Sequence, residues 1–123
     1  MGYRVVDTDE VEPTTDRPCE YRRLSDPAGL DQMAINLFRA DPGEQLPLAY
    51  HYHDDQEEAF YVVSGTLSVE TPEETYVVDE GGLFVVDPGS PQRAYNPDDA
   101  DATVEVVAVG APPADDDVHA YEP

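Results

Sequence analysis

Two closely spaced histidines are the first residues in this chain that could do chemistry. They lie in the tripeptide His51-Tyr52-His53, and the 123 residues contain three histidines in all. Alternate residues of a β-strand share a face, so a strand here would point both imidazoles the same way. Two neutral imidazoles on one face chelate a transition metal well. The spacing therefore predicts a metal-binding pair.

A carboxylate stands at the start of the next apolar run. Glu58 precedes the sequence Ala-Phe-Tyr-Val-Val, and a strand that pairs beside the histidine strand would bring its carboxylate to the same point. Two histidines and one carboxylate leave coordination positions open, which suits Fe(II), Mn or Ni better than a closed structural Zn site. Glu57 is one residue out of phase and is expected to belong to the acidic surface.

A simpler interpretation of the His-x-His pattern is two solvated histidines on a polar strand. The concentration of two of the three histidines in one short run, followed by a glutamate, favours the metal site. The third histidine, His119, lies in an acidic segment near the end of the sequence. We expect it to be solvated.

The segment from Gly43 to Gly65 resembles the first sequence motif of the cupin superfamily. That motif reads Gly, five residues, His-x-His, three or four residues, Glu, six residues, Gly. Six residues separate Glu58 from Gly65, so Glu58 rather than Glu57 matches the motif's ligand. Seven residues, not five, separate Gly43 from His51, a difference that affects only a loop.

The segment from Gly81 to Asn96 resembles the second cupin motif. Asp87 stands in place of the motif's proline, before Pro88. Gln92 stands where the resemblance places a fourth metal ligand, a histidine, and an amide oxygen is a weaker and harder ligand than an imidazole nitrogen. Gln92 is then a weak ligand, a partner of a metal-bound water, or a substrate contact. The alternative is a site that has lost its metal.

The resemblance implies a single double-stranded β-helix, the cupin jelly roll. It implies a metal site of His51, His53, Glu58 and Gln92 that takes a divalent Fe, Mn, Ni or Zn ion. Small cupins include dioxygenases, isomerases and epimerases, so the first hypothesis is a metal-binding cupin acting on a small molecule, as a dioxygenase or an isomerase. The alternative is a non-catalytic sensor or carrier with a degenerate metal site. The catalytic residues stay open.

The elements that must position these residues are short strands separated by turns rich in Gly, Pro, Asn and Asp, an all-β pattern. No stretch sustains the apolar period of a long helix. The predicted strands are Tyr3–Val6, Cys19–Leu24, Met33–Arg39, Leu46–His53, Glu58–Val63, Thr66–Glu70, Thr75–Val78, Leu83–Val86, Gln92–Tyr95 and Val104–Val109.

The charge is extreme. Six arginines, no lysine and 28 acidic residues give a formal net charge of −22. No basic patch for nucleic acid can be assembled from this composition, and no apolar run is long enough to span a membrane. Self-repulsion of this size is screened at about 1 M salt, where the Debye length is roughly 3 Å. The composition therefore predicts a folded protein of a salt-loving, haloarchaeal type of cytoplasm.

Composition also divides the chain. Residues 1–18 are predicted to be an N-terminal arm, residues 19–111 the barrel domain, and residues 112–123 an acidic tail. The arm and the tail are acidic and poor in apolar residues, so we expect little order in them without a partner subunit. The arm and the edge strands suggest a homodimer formed by sheet extension.

Overall fold

The computed structural model describes residues 2–113 and 116–123. Over these residues the chain is nearly all β, which confirms the predicted fold class. A 3₁₀ turn covers Thr8–Glu10, and one short helix, α1, covers Ser25–Ala28. The strands are β1 (Glu20–Arg23), β2 (Ala34–Ala40), β3 (His51–Tyr52), β4 (Glu57–Ser64), β5 (Leu67–Glu70), β6 (Thr75–Val78), β7 (Leu83–Val86), β8 (Arg93–Tyr95), β9 (Val104–Ala111) and β10 (His119–Ala120).

The strands form an antiparallel jelly roll. One layer is a five-stranded sheet in the order β1-β2-β9-β4-β7, and the other comprises the sheet β6-β5-β8 with the ribbon β10-β3. A bridge between His51 and Gln92 joins β3 to the start of β8. This is the double-stranded β-helix that the motifs imply.

The core lies between the two layers and follows from the alternation along each strand. Val104, Val106 and Ala108 of β9 are buried, and the residues between them are not. Phe60 and Val62 of β4 share the parity of Glu58 and are buried, as predicted. Burial of each such valine or phenylalanine side chain stabilises the fold by about 1.5–3 kcal/mol. The same alternation directs Glu58 inward, beside the core.

A buried asparagine joins two loops at one end of the barrel. Asn96 is 2% exposed, and its Nδ2 donates to the carbonyl oxygens of Ala40 and Ala102 at 3.0 and 2.9 Å. A buried amide is tolerated only when its hydrogen bonds are made. This polar anchor fixes the end of β2 against the turn before β9.

The two ends of the chain differ from the sequence-based expectation. Tyr3–Val6 forms no strand, and Tyr3 is 98% exposed. The predicted tail instead contributes β10, which pairs with β3. Residue 1 of the predicted arm and residues 114 and 115 of the predicted tail lie outside the described residues. The division of the chain at residues 18 and 111 stays a prediction.

Among the residues that the structure describes, no helix has the length and apolar character needed to cross a membrane.

Candidate metal centre and cavity

The two histidines of the tripeptide are held with the same ring nitrogen pointing away from the site. His51 Nδ1 lies 2.8 Å from the carbonyl oxygen of Ala49, and His53 Nδ1 lies 2.6 Å from that of Asp117. A carbonyl oxygen only accepts, so each Nδ1 carries the proton and donates it. Each Nε2 is thereby left with a free lone pair, the atom that a metal ion would bind.

Glu58 completes a cluster that we call the metal triad, made of His51, His53 and Glu58. One ligand atom from each residue lies within 4.8 Å of the others. The imidazole centroids are 5.0 Å apart, and His53 Nε2 is 3.5 Å from Glu58 Oε1. Glu57, the neighbouring alternative, is exposed. The structure therefore brings together the three residues that the sequence singled out.

A backbone hydrogen bond places Gln92 beside the triad. Its N–H donates to the carbonyl oxygen of His51 at 2.9 Å, and the side chain lines the same cavity as the triad. The residue is 2% exposed, yet its Oε1 has no hydrogen-bond partner among the described residues. Glu58 Oε1 is also buried and also has no hydrogen-bond partner among the described residues. Two buried acceptors without donors beside two free imidazole lone pairs suit a cation, so the residues fit a divalent metal ion.

The surroundings of the triad shift the pKa values of its two histidines in opposite directions. The Glu58 carboxylate raises the pKa of His53 against the opposing effect of burial, and the bond to the Asp117 carbonyl raises it further. Burial lowers the pKa of His51, which keeps that ring neutral and its lone pair available. A divalent ion would meet the same demand for positive charge that raises the pKa of His53.

The triad opens into a cavity of about 760 Å³, a size typical of small-molecule sites. Phe38, Leu46 and Phe60 supply apolar wall from the barrel. Residues from both predicted ends of the chain also line it: Thr14 and Arg17 from the arm, Val118 and Ala120 from the tail. The sequence analysis missed these four residues because neither segment has a strand or helix period.

Asp117 is the second feature that the sequence analysis missed. Its carboxylate accepts the backbone N–H groups of Asp55, Asp54 and Gln56 at 2.8, 2.9 and 3.3 Å. These bonds lower the pKa of Asp117 to about 2, with those from Asp55 and Asp54 the largest causes. The same residue's carbonyl oxygen holds His53. The tail thus fixes the loop that carries one member of the triad.

His119 is only partly solvated, in contrast to the expectation. Its side chain is 38% exposed, and its Nε2 lies 3.1 Å from carboxylate oxygens of both Asp54 and Asp117. These three residues form a second cluster of potential metal ligands, more exposed than the triad. Contacts of the imidazole with the carboxylates of exposed Asp54 and partly buried Asp117 are sufficient to account for this cluster.

Replacement of the Asp117 carboxylate should loosen the triad without removing a ligand. We expect Asp117→Ala to lower metal affinity about 10-fold, because partners that only orient a metal ligand are worth about 10–100-fold. Titration with Zn²⁺ or Co²⁺ against a competing chelator measures it. The matched control is Asp116→Ala, which removes the same charge from an exposed neighbour. Equal affinities for the two variants would show that the Asp117 carboxylate has no such role.

The fold and the site together define the class of protein. Residues 36–110 match the Cupin_2 family model, described as a cupin domain, and the chain belongs to this family. The implied superfamily membership is thereby confirmed.

One relative and two solved structures illustrate what the chain is similar to. The chain is 36% identical over 91 residues to the polyketide synthase CurC of Streptomyces cyaneus, covering 71% of this chain and 58% of the relative's length. Among solved structures, the polyketide cyclase RemF of Streptomyces resistomycificus has a TM-score of 0.76 at 20% identity, covering 98% of this chain and 87% of that one. A sugar phosphate isomerase of the cupin superfamily from Silicibacter pomeroyi has a TM-score of 0.72 at 23% identity, with 88% and 75% covered. These two structures share the fold.

Proposed function

We propose that this chain is a metal-binding cupin that acts on a small molecule. His51, His53 and Glu58 would hold a divalent Fe, Mn, Ni or Zn ion, with Gln92 as a weak fourth ligand or as the partner of a bound water or substrate. The observation that carries the proposal is the buried Glu58 Oε1, which has no hydrogen-bond partner among the described residues and has His53 Nε2 3.5 Å away. It lies beside two imidazoles whose Nδ1 atoms are already bonded.

An ion bound there would supply Lewis acidity toward a substrate oxygen, or open positions for O₂. The chain's own residues do the remaining work. Ala49 and Asp117 hold the imidazole tautomers through their carbonyl oxygens, and the apolar walls of Leu46 and Phe60 limit water around the reacting group. Similarity to a polyketide synthase protein supports a small organic molecule as the substrate, and both a dioxygenase and an isomerase reaction are compatible with it.

A non-catalytic sensor or carrier is the second candidate. The observation in its favour is Gln92, whose neutral amide oxygen stands where the resemblance expects an imidazole. An amide oxygen binds a transition metal less tightly than imidazole nitrogen does. In this case the cavity would hold its ligand with little or no metal.

Elemental analysis separates the two candidates. The protein is purified in high salt, with no chelator and no added metal. We expect about one transition-metal ion per chain, since the triad offers one complete donor set. A chain that folds fully but contains no metal in any preparation would contradict the metal-dependent function and support the sensor or carrier.

The predicted homodimer belongs to the same proposal. Tyr61 of β4 and Leu83 and Val85 of β7 are exposed on the outer face of the five-stranded sheet, at its β7 edge. An apolar sheet edge is a template for pairing with a second copy. We expect light scattering to give twice the mass of one chain. The measurement is made in high salt, because we also propose that the protein works in a halophilic cytoplasm. A monomer mass would remove the dimer.

A further inference from the structure

One wall of the cavity is a stack of three side chains, in the order Arg17, Tyr21 and Phe38. The Arg17 guanidinium carbon lies 4.3 Å from the centre of the Tyr21 ring, and Tyr21 stacks on Phe38 with centroids 4.8 Å apart. All three residues line the cavity. A guanidinium that lies on an aromatic face has its plane fixed, so its N–H groups are directed along the edge of the stack.

Arg17 differs from three other arginines of the chain in how its donors are used. Arg22 and Arg39 form ion pairs with Glu20, and Arg93 forms one with Glu70. The Nε of Arg17 is buried and has no hydrogen-bond partner among the described residues. A buried charged donor without an acceptor is costly. An oxygen atom of a ligand in the cavity would remove that cost.

The cavity presents a positive charge within a strongly acidic protein. The chain as a whole carries −22, whereas Arg17 lines the cavity and Glu58 is the one carboxylate among the described residues that line it. The positive charge of Arg17 favours a ligand with a negative charge at this wall of the cavity.

Arg17 and the three residues of the triad line the same cavity. A ligand in this cavity can therefore contact the guanidinium and face the triad at once.

We propose that the cavity binds a small organic anion whose charged oxygen atoms pair with Arg17 while the rest of the molecule faces the metal triad. The ligand class is a carboxylate or a phosphate ester, since both present the paired oxygens that a guanidinium edge binds. The part that concerns the triad rests on the proposed function. Anion binding at Arg17 does not require the metal.

The test compares ligands that differ in charge. Benzoate, phenyl phosphate and the neutral benzamide are titrated into the full-length protein by calorimetry at fixed ionic strength, before and after EDTA treatment. We expect benzoate or phenyl phosphate to bind about 10- to 100-fold more tightly than benzamide, the range expected for a hydrogen bond to a charged group. The tighter of the two identifies the oxyanion.

Variants then assign the effect to Arg17. Arg17→Ala should weaken binding of the preferred anion by about 10-fold or more and leave benzamide binding unchanged. Arg17→Lys should fall between the two, because it keeps the charge and loses the planar edge. Arg4→Ala, which removes the same charge outside the cavity, should match the wild type. Thermal unfolding of every variant confirms that it is folded.

Two results would overturn the proposal. One is equal binding of the anions and benzamide by the wild type. The other is an Arg17→Ala variant that loses affinity for benzamide as much as for the anion, which would give Arg17 a structural role only. Because these titrations include EDTA-treated protein, a chain that binds the anion but no metal would contradict the proposed metal chemistry and leave the anion site standing.

Discussion

His53→Ala should abolish metal binding, with bound metal falling from about one ion per chain to below about 0.1. The substitution removes an Nε2 lone pair from a site where Glu58 Oε1 is the nearest charged ligand, 3.5 Å away. Partners that only orient a metal ligand are worth about 10–100-fold in affinity, so loss of a ligand itself should cost on the order of 10³-fold. Elemental analysis and a chelator competition measure both quantities.

The same substitution should remove stabilisation by metal. An ion at about 1,000 times its dissociation constant stabilises the folded state by about 4 kcal/mol, so added metal should raise the unfolding temperature of the wild type and not that of His53→Ala. The matched control is His119→Ala, which removes the remaining histidine. Loss of the ion in the control alone would place it at the cluster of Asp54, Asp117 and His119, contrary to our proposal.

Gly65→Ala should be the most damaging single-methyl change in the barrel. Gly65 has a φ of +79° in the turn between β4 and β5, and an added Cβ would lie 2.6 Å from the carbonyl oxygen of Thr103 and 2.9 Å from the Cα of Val104. The left-handed backbone costs about 1–2 kcal/mol for alanine, and the clash with rigid backbone adds about 1–3 kcal/mol. We expect the free energy of unfolding to fall by about 3 kcal/mol in total.

Gly81→Ala isolates the clash. Gly81 has a φ of +84°, and an added Cβ would meet nothing within 4 Å. This variant carries the backbone strain alone and should lose about 1 kcal/mol. Denaturant unfolding at one salt concentration measures both variants. Equal losses would show that the close approach of Gly65 to β9 has no energetic weight.

Much of the barrel could be predicted from local sequence because strands and turns are local. The strands from β4 to β7 begin or end within a residue of the predicted bounds, since each is flanked by turn residues such as Ser64-Gly65. The choice of Glu58 over Glu57 was also local, because neighbouring residues of a strand face opposite sides. In the structure Glu58 lines the cavity and Glu57 is exposed, and the role of Glu58 as a metal ligand stays a prediction.

Tyr3–Val6 shows where local reasoning fails. Its apolar residues suit a strand, yet a strand exists only if an edge is available to pair with it. In the fold, β1 is the edge strand of the five-stranded sheet. There Thr14, rather than Tyr3–Val6, donates its backbone N–H to the carbonyl oxygen of Tyr21 at 2.8 Å. Tyr3 stays exposed. The tail shows the opposite outcome. Its acidic composition predicts no strand, yet β10 forms there because β3 supplies a pairing partner.

The sequence by itself determined the barrel, the family and the three residues of the triad, because each depends on alternation and spacing over a few dozen residues. Only the tertiary structure decided which other groups meet those residues. Asp117 reaches His53 across 64 positions of the chain, and Arg17 reaches the cavity from a segment without any period. Such contacts form where segments distant in sequence pack against the barrel. Their stabilising energy depends on the partners present there, which the local sequence of each segment does not contain.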